Sequence, residues 1–424
     1  MTAGPLAGVI VVDLTRYISG PYCTMLLADA GATVIKVEPP GGEHTRHGKP
    51  RLGDRDGGPS ASFVRVNRGK QSIVLDLKTE DGVAALARLL AKADVLVENF
   101  RPGVLARLGL DEVGLERLNP GLVYCTITGF GHSPSGWRDR PAFNLIAELE
   151  AGVYWQRDPD SAPEPLGPYV GDLFPGAHAT SGIAMALYQR ERTGRGARVD
   201  IAMFDSMLSF NELACTSSQF LDGRVEDYFA GHFCPSDIYP SGDGYVCLDV
   251  VTQEQWCALC DLIGAPELAA RPDLADGPGR AGRFDEVIAG PLLGWLAGHD
   301  AETAMQRLTA VGVPAAVVRT PGEALCSRQA RDRQMVVAVG HAGHELLMPA
   351  NPIRVQGASR PQRLSAPEAG EHTLSVLTEV AGLTREEVAA LTKEAAGAPR
   401  QVGAVALIPL RNLTPPQSPT HGAV

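Results

Sequence analysis

The stretch GVIVVDL, residues 8–14, is a continuous apolar run, and a helical pattern over 21–30 and a second apolar run, ATVIKVE (32–38), follow it. Apolar runs of this kind, with helical patterns between them, are typical of strands that are buried on both faces of a sheet. The first 130 residues therefore predict an α/β fold with a parallel sheet and crossover helices. The alternation continues through SIVLDL (72–77), GVAALARLLAKA (82–93), DVLVENF (94–100) and LVYCTITGF (122–130), and Thr79 is the expected cap of the helix over 82–93.

Composition restricts the class of protein. The chain has 424 residues, of which 44% are hydrophobic, and its formal charge is −11. This is enough for a large core and more than one domain, and without a basic block it disfavours nucleic acid or an anionic membrane as a partner. The N-terminus lacks a basic leader, and no apolar run reaches about 18 residues, so we expect no signal peptide, no membrane span and a cytoplasmic location.

Cysteine usage indicates free thiols. Eight cysteines in a chain of this length are too few for a disulfide scaffold. The C-x-x-C formed by Cys257 and Cys260 lies in an amphipathic run, and no second cysteine pair matches it. We therefore predict core packing for this pair, and no metal site.

Basic residues follow several of the predicted strands, at the carboxyl ends where open parallel sheets bind their ligands. Arg16 follows the first strand, Lys78 the third and Arg101 the fourth. One such residue suits a solvated loop, but three together favour a small phosphate-bearing ligand. The loop after the first strand, TRYISGPYCT, has a single glycine where a dinucleotide site needs G-x-G-x-x-G. A hydride-transfer enzyme is therefore disfavoured.

One acid stands out by its local setting. The sequence GDLFPG (171–176) predicts a turn, and the alanine-rich run after it predicts a long helix from Ala177. A turn at a helix start exposes free N–H groups, which stabilise an anionic Asp172. Such a carboxylate is either a helix cap or a nucleophile toward an acyl group.

A strand pattern, ARVDIAM (197–203), and a helical pattern over 204–221 precede a change of composition near residue 222. Residues 222–250 are rich in Gly, Asp, Tyr and Pro, and helical patterns and a strand, PAAVVRT (314–320), come after them. Past about residue 335 the chain returns to short strands and turns. The last stretch has scattered Pro and no periodicity, so we expect it to be poorly ordered. Two capping boxes mark helix starts in this half of the chain, at Thr252 with Gln255 and at Thr384 with Glu387.

A set of segments, in their order and spacing, resembles the class III CoA-transferase family, which includes formyl-CoA transferase, carnitine CoA-transferase and the α-methylacyl-CoA racemases. The resemblance extends from about Leu6 to Glu394. The matching segments are PLAGVIVVDLTRYISGPYCTMLLADAGATVIKVEPPGGEHTR (5–46), VNRGKQSIVLDLKTEDG (66–82), ADVLVENFRPGVLARLGL (93–110), ITGFG (127–131), GDLFPGAHATSGIAMAL (171–187), RTGRGARVDIAMFDS (192–206) and GEHT (370–373).

The resemblance implies a fold and an assembly. The expected fold is a Rossmann-like large domain with a parallel sheet, built from both chain ends, and a smaller α+β domain joined to it by long linkers. Two chains are expected to form a homodimer of interlocked rings. The implied division is a large CoA-binding domain (1–221), a small domain with linkers (222–334), a return to the large domain (335–396) and a poorly ordered tail (397–424).

The resemblance also implies a reaction. Its substrates are an acyl-CoA and a carboxylic acid, and CoA moves between them with no cofactor beyond CoA itself. The family's nucleophilic aspartate corresponds to Asp172, which forms an acyl–aspartyl anhydride and then an aspartyl-CoA thioester. The glycine-bearing turns around it are expected to supply backbone donors for the oxyanions.

The expected CoA-binding positions lie mostly at strand ends. Lys78, Arg101 and Arg107 keep chemistry that suits phosphates, and Arg16 and Lys36 are candidates by position and not by motif. The remaining positions are Ile18, Ser19, Pro39, Leu75 to Leu77, Asn99, Phe100 and Pro141 to Asn144, which include Phe143 and Asn144.

Departures from the family pattern bear on the subclass. The racemases have a histidine and an acid where this chain has Phe143 and Asn144, so proton abstraction lacks its base. Formyl-CoA transferase has a glutamate at the position of Asn144, a glutamine at that of Ile18 and a four-glycine loop where this chain reads HFCPSDIYPSGDGYVCLDV (232–250). Oxalate and formate are therefore not supported as substrates.

Three functions remain to be distinguished. The first is a CoA-transferase, the second an acyl-CoA racemase or epimerase, and the third a non-catalytic CoA-binding protein in which Asp172 is only a cap. A dehydrogenase is possible on fold alone, but the loop after the first strand argues against it.

Overall fold

The computed structural model describes residues 4–52, 59–156, 161–220, 231–359 and 363–397. Its central element is a six-stranded sheet in which every neighbouring pair of strands is parallel. The predicted parallel sheet is therefore confirmed. Its strands are Ile10–Asp13 (β1), Thr33–Glu38 (β2), Gln71–Val74 (β3), Val95–Glu98 (β4), Val123–Thr128 (β5) and Arg198–Ala202 (β6).

The strand order is β3-β2-β1-β4-β5-β6, which is the order of the Rossmann fold. The direction of winding reverses between β1 and β4. In open sheets of this type the loops at the carboxyl ends of those two strands border the ligand crevice. A ligand site is therefore expected at the loops that follow Asp13 and Glu98.

Helices cover both faces of this sheet. Leu86 and Leu89 of one helix pack on one face, and Leu27 and Ile183 of two others pack on the opposite face. The helices of the first half are Ser19–Asp29 (α1), Ala61–Asn67 (α2), Glu80–Leu90 (α3), Val104–Arg107 (α4), Glu112–Leu118 (α5), Asn144–Glu150 (α6), Val170–Thr193 (α7), Met203–Phe210 (α8) and Glu212–Ser217 (α9), and a short 3₁₀ turn spans His44–His47.

The pattern over 204–221 predicted one helix, but the structure has two, α8 and α9, which meet at Asn211. The side-chain amide of Asn211 donates to the carbonyl oxygens of Ala151 and Gly152, at 3.2 and 3.0 Å. A tertiary contact of the connecting residue therefore accompanies this break.

A second sheet has its own hydrophobic cluster. Trp256 and Leu259 are fully buried in it. The sheet consists of Ser236–Pro240 (β7), Tyr245–Asp249 (β8) and Ala315–Val317 (β9), all antiparallel, and the helical segments around it are Gln253–Leu262, Pro266–Ala270, Pro272–Leu274, Gly277–Gly282, Phe284–Ile288, Ala289–Ala297 and Ala301–Ala310.

The late part of the chain returns to the first sheet. Val376 and Leu377 pack into the cluster that contains Leu86, and the Gly370 N–H donates to Ser72 Oγ at 2.9 Å. The late elements are Pro321–Leu325, Arg328–Asp332, Val336–His341 (β10), His344–Pro349 (β11), Arg363–Ser365 (β12), Thr373–Glu379 and Arg385–Gly397.

The division into domains stays a prediction, and the tail lies outside the described residues from 398 onward. None of the described helices combines the length and apolarity that crossing a bilayer requires.

All eight cysteines carry free thiols, and Cys260 is fully buried in the cluster around Trp256, as its predicted packing role requires.

Helix starts were predicted well where a single side chain decides them. Thr79 caps α3, because its Oγ1 accepts from the Gly82 N–H at 3.1 Å. Both predicted capping boxes are confirmed, since the Gln255 N–H donates to Thr252 Oγ1 and the Glu387 N–H donates to Thr384 Oγ1.

A buried carboxylate organises the carboxyl end of β1. Asp13 is fully buried, and its two oxygens accept from the Thr15 N–H at 2.8 Å, from Thr15 Oγ1 at 2.5 Å, from Thr24 Oγ1 at 2.7 Å and from Lys70 Nζ at 2.9 Å. Lys70 and Lys36 hold the pKa of Asp13 well below its usual range in spite of burial. One side chain therefore ties the loop after β1 to α1 and to the residue that precedes β3.

We expect Asp13→Asn to lower the free energy of unfolding by about 3–5 kcal/mol, because it leaves the buried Lys70 without its anion. Urea unfolding followed by circular dichroism measures this loss. Asp139→Asn is the control, since Asp139 is exposed, and it should change stability by less than about 0.5 kcal/mol. A wild-type midpoint for Asp13→Asn would contradict the role assigned to this carboxylate.

Candidate active site

The helix that carries Asp172 begins earlier than the sequence pattern predicted. α7 starts at Val170, so Asp172 is its third residue, and the predicted turn over 171–176 is wrong. Pro175 lies inside the helix and removes one backbone hydrogen bond there. Pro175 and Gly176 are buried, and a Cβ on Gly176 would stand 2.6 Å from the Ser19 carbonyl oxygen of α1. Close packing on α1 offsets the missing bond.

Asp172 is not the cap of this helix. The N-cap position belongs to Tyr169, whose φ of 65° is left-handed and therefore strained for a tyrosine. The carboxylate of Asp172 accepts no hydrogen bond from any residue in the described ranges, and it is half-buried. The interpretation of Asp172 as a cap is therefore wrong, and its carboxylate is left for another partner.

The first backbone donors of α7 are already occupied. The Gly171 N–H donates to Glu148 Oε1 at 2.8 Å, and the Asp172 N–H donates to Asn144 Oδ1 at 3.1 Å. The expectation that the glycine-bearing turn around Asp172 leaves these amides free for an oxyanion is wrong for both. α6 supplies the two acceptors, because Asn144 and Glu148 are one helical turn apart on it.

Gly171 makes this contact between helices possible. A Cβ at this position would lie 2.6 Å from the Asn144 carbonyl oxygen and 3.1 Å from Glu148 Cγ. Only glycine leaves room for α6 at this distance. The position of Asp172 is thus set by its neighbour in sequence and by α6.

Burial dominates the electrostatics of the site. It raises the pKa of Asp172 to about 7, which the nearby Arg65 guanidinium opposes and Glu148 reinforces. The expected stabilisation of the anion at the helix start is therefore outweighed by loss of solvent. Glu148 is fully buried, and its Oε2 has no hydrogen-bond partner among the described residues.

The loop after β1 contacts the start of α6 through Tyr17. Tyr17 has a φ of 66°, a left-handed conformation, and its ring meets the edge of Phe143 at 5.5 Å between centroids. Phe143 is the N-cap residue of α6 and is 58% exposed, so an aromatic surface faces solvent beside Asn144. Strained residues at the mouth of a parallel sheet are a usual feature of ligand sites.

Asn99 has a positioning role. Its side-chain oxygen accepts from the Arg16 N–H at 2.8 Å, and its side-chain nitrogen donates to the Arg16 carbonyl oxygen at 2.8 Å. Both ends of the amide are used to hold the loop after β1. The Arg16 guanidinium lies over the Phe100 ring at 5.3 Å, so these three predicted residues are brought together at the β1 and β4 ends.

Other predicted residues are placed less tightly. Ile18 precedes α1, and Ser19 is its buried first residue with an Oγ that has no partner in the described part of the chain. Lys78, Arg101 and Arg107 are exposed, and none of them forms an ion pair with a described residue. Their contact with CoA stays a prediction.

Lys36 is the exception among the basic candidates. It is fully buried, donates from Nζ to the Thr15 carbonyl oxygen at 3.0 Å and stands 3.4 Å from Glu43 Oε2. Through this hydrogen bond Lys36 supports the loop after β1 from the buried side. The expectation that it faces a phosphate is therefore wrong, because its position in β2 directs it into the core.

Sequence reasoning missed four residues of this site: Arg65, Tyr17, Tyr169 and Glu148. The left-handed tyrosines carry no sequence signal, because turn propensities would have placed Gly or Asn there. Glu148 had one available signal, as an acid one turn after Asn144 in a short amphipathic stretch. No cluster of three or more His, Cys, Asp or Glu side chains that could hold a metal ion occurs within the described residues.

The fold and the site define a class of protein: an α/β enzyme with a Rossmann-type sheet and, in the first turn of a helix, a carboxylate that no described residue engages by a hydrogen bond. A family model described as CoA-transferase family III matches residues 6–373. The chain belongs to this family and is a CoA-transferase that moves CoA from an acyl-CoA to a carboxylic acid.

Two relatives illustrate the similarity. The acetyl-CoA:oxalate CoA-transferase of Acetobacter aceti is 36% identical over 387 residues, which cover 89% of this chain and 96% of the relative. The succinyl-CoA:mesaconate CoA-transferase of Haloarcula hispanica is 35% identical over 387 residues, with 89% and 96% coverage.

A solved structure supports the fold. The crystal structure of a CAIB/BAIF family protein from Brucella suis is similar with a TM-score of 0.79 and 31% identity, over 89% of this chain and 100% of that one. The mixed α/β fold of this chain is therefore similar to that of the Brucella suis protein over most of its length.

We expect Gly171→Ala to lower kcat/KM for CoA transfer by at least about tenfold, because the added methyl group forces α7 away from α6. Steady-state kinetics with an acyl-CoA and a free acid measure the effect. Gly294→Ala is the matched control, as a Cβ there meets nothing within 4 Å. Equal activity of the two variants would show that the close contact at Gly171 does not position Asp172.

Proposed function

We propose that this CoA-transferase works through covalent acylation of Asp172. The observation that carries the proposal is the state of its carboxylate, which is half-buried, accepts no hydrogen bond from the described residues and stands in the first turn of α7. A carboxylate left without partners near a ligand crevice is poorly solvated, and poor solvation makes an oxyanion a better nucleophile. The resemblance to the family assigns the same residue.

The first half of the reaction forms two bonds to Asp172 in turn. A carboxylate oxygen attacks the thioester carbonyl carbon, the C–S bond breaks, and an acyl–aspartyl anhydride and CoA thiolate result. The thiolate then attacks the aspartyl carbonyl carbon. The donor acid leaves as a carboxylate, and CoA is held on Asp172 as a thioester.

The second half reverses these steps with the acceptor. The acceptor carboxylate attacks the aspartyl thioester, so CoA thiolate leaves and a second anhydride forms. The thiolate attacks the acceptor's acyl carbon, which releases the new acyl-CoA and restores the Asp172 carboxylate. No proton is gained or lost in the cycle. The reaction therefore depends more on groups that stabilise negative charge than on a general base.

CoA is proposed to approach from the carboxyl ends of β1, β3 and β4. The exposed cations there are Arg16, Lys78 and Arg101, and Arg107 follows on α4. Their positive charge suits the phosphates of CoA. The thiol end would then pass the loop at Ile18 and Ser19 to reach Asp172, beside Phe143 and Asn144.

Racemisation is not favoured by the site. Phe143 cannot accept a proton, and Asn144 is engaged with the backbone N–H of Asp172. Neither replaces the missing base. Deuterium from solvent should therefore not enter the α-carbon of an acyl-CoA during turnover.

The acids named for the two relatives, oxalate and mesaconate, are candidate acceptors. Oxalate belongs in a substrate panel although this chain lacks the glutamine, the glutamate and the glycine loop of formyl-CoA transferase.

We propose in addition that the reaction takes place in the cytoplasm, which the free thiols suit.

A homodimer is part of the same proposal. Met185 and Tyr188 on α7 are 71% and 66% exposed, and Leu213 and Phe220 add further apolar surface nearby in sequence. Apolar side chains grouped along one helix are a usual sign of a protein interface. We propose that a second copy of this chain covers this apolar surface, in the interlocked arrangement that the resemblance implies.

We expect Asp172→Ala to abolish CoA transfer, with at least about a 10⁴-fold loss, while the oligomeric state measured by light scattering is unchanged. Hydroxylamine added during turnover should convert Asp172 of the wild type to a hydroxamate, which peptide mass spectrometry detects. Asp205→Ala is the matched control, because Asp205 is an exposed carboxylate in the first turn of α8. Transfer by Asp172→Ala at the wild-type rate would refute the assignment.

We expect kcat/KM to fall as the pH is lowered through about 7, since burial raises the pKa of Asp172 to about 7 and only its ionised form attacks. The ionised fraction of Asp172 decreases as the pH falls below this pKa. Activity at pH 6 should therefore be about tenfold below that at pH 8. A pH profile with a single acyl-CoA checks this. A flat profile down to about pH 5 would show that the carboxylate is ionised throughout.

A further inference from the structure

Arg65 carries a positive charge that no acidic side chain of the described ranges neutralises by an ion pair. It lies in the last turn of α2, where it is half-buried. Its guanidinium forms no hydrogen bond and no ion pair within 4 Å with any residue of the described ranges, and its Nε is buried without a partner. Neighbouring Arg68, in contrast, is paired with Asp29 at 2.7 Å.

An aromatic ring holds the guanidinium in place. The Arg65 guanidinium carbon lies 4.4 Å from the centre of the Tyr169 ring, which is a cation–π arrangement. Tyr169 is the left-handed residue at the start of α7, and its carbonyl oxygen accepts from the Leu173 N–H at 2.9 Å. The charge is therefore fixed to the same turn that carries Asp172.

The Arg65 guanidinium is close to the Asp172 carboxylate without being paired to it. Arg65 is near enough to be the opposite charge that favours ionisation of Asp172, but no nitrogen of Arg65 stands within 4 Å of its carboxylate. The guanidinium therefore stands beside the reacting carboxylate and leaves its own donors unused. Arginine stacked on a ring keeps its planar fork available for an anion.

The phosphates of CoA do not suit this position. They stand at the far end of the pantetheine arm when the thioester is at Asp172, and exposed cations at the strand ends are available for them. What remains close to Asp172 is the acyl group of the donor and, later, the acceptor acid. A buried donor without a partner is costly, and a bound anion removes that cost.

We infer that Arg65 binds a second carboxylate of the substrate, so that the acids this enzyme activates are dicarboxylic acids and their mono-CoA thioesters. The inference rests on the proposed function of Asp172. One carboxyl group reacts at Asp172 while the other is held by the Arg65 guanidinium, and the acyl chain spans the gap between them. Arg65 is thus a specificity-determining residue.

The test compares Arg65→Met with the wild type on acyl-CoA pairs of equal chain length. The pairs are malonyl-CoA with propionyl-CoA, succinyl-CoA with butyryl-CoA and glutaryl-CoA with valeryl-CoA. Methionine keeps an unbranched apolar stem on α2, and Arg117→Met, on the exposed side of α5, controls for the loss of one positive charge. Measurement at about pH 8.5 keeps Asp172 ionised in all variants.

We expect the wild type to prefer at least one dicarboxylic member over its partner by about 30-fold or more in kcat/KM. Arg65→Met should lose about that factor on the dicarboxylic member and less than about threefold on the monocarboxylic one. The activity that remains on the monocarboxylic member shows that the variant is folded. Arg65→Lys should restore part of the preference, because a lysine keeps the charge and loses the fork.

Three results would overturn the inference. One is transfer by the wild type from each monocarboxylic member as fast as from its dicarboxylic partner. Another is an equal loss of kcat/KM on both members in Arg65→Met, as a residue that only tunes Asp172 would give. Failure of Arg65→Met to change any rate would do the same. Failure of the proposed function is distinct, because there the wild type would transfer CoA while hydroxylamine formed no hydroxamate at Asp172.

Discussion

The carboxylate of Asp13, removed from water at the end of β1, fixes the part of the molecule on which the site depends. An anion in that position has to be surrounded by donors, and Thr15, Thr24 and Lys70 supply them from three separate segments. Lys36 completes the arrangement by donating to the Thr15 carbonyl oxygen. The loop after β1 is therefore held by buried hydrogen bonds at the point where the winding of the sheet reverses.

The site is assembled on that loop from elements distant in sequence. Tyr17 comes from the loop after β1, Asn144 and Glu148 from α6, and Tyr169 and Asp172 from the start of α7. The helices approach each other only because position 171 lacks a side chain. The carboxylate of Asp172, the proposed nucleophile, is thereby desolvated and accepts no hydrogen bond from the described residues, a combination that costs stability and is retained where chemistry requires it.

Local patterns predicted the elements that local interactions decide. The buried strands and the caps at Thr79, Thr252 and Thr384 were predictable because strand periodicity and a single side chain determine them. The start of α7 was not, because Pro175 reads as a helix break unless its packing is known. Lys36 was likewise misjudged, since a strand residue with a charge looks the same in sequence whether it faces a ligand or a buried acid.

The amino-acid sequence by itself determined the α/β class, the parallel sheet, the resemblance to the CoA-transferases and the identity of Asp172 as the candidate nucleophile. The class and the sheet follow from periodicity, which is a short-range property, and the resemblance, which assigns the nucleophile, follows from motifs in their order and spacing along the chain. Only the tertiary structure decided that Asp172 is not a cap, that its first-turn amides are occupied and that Arg65 stands near it with no ion-pair partner among the described residues. The physical reason is that desolvation and charge proximity at Asp172 depend on residues such as Glu148 and Arg65, which lie 24 and 107 positions away in the chain and whose distances in space no local pattern encodes.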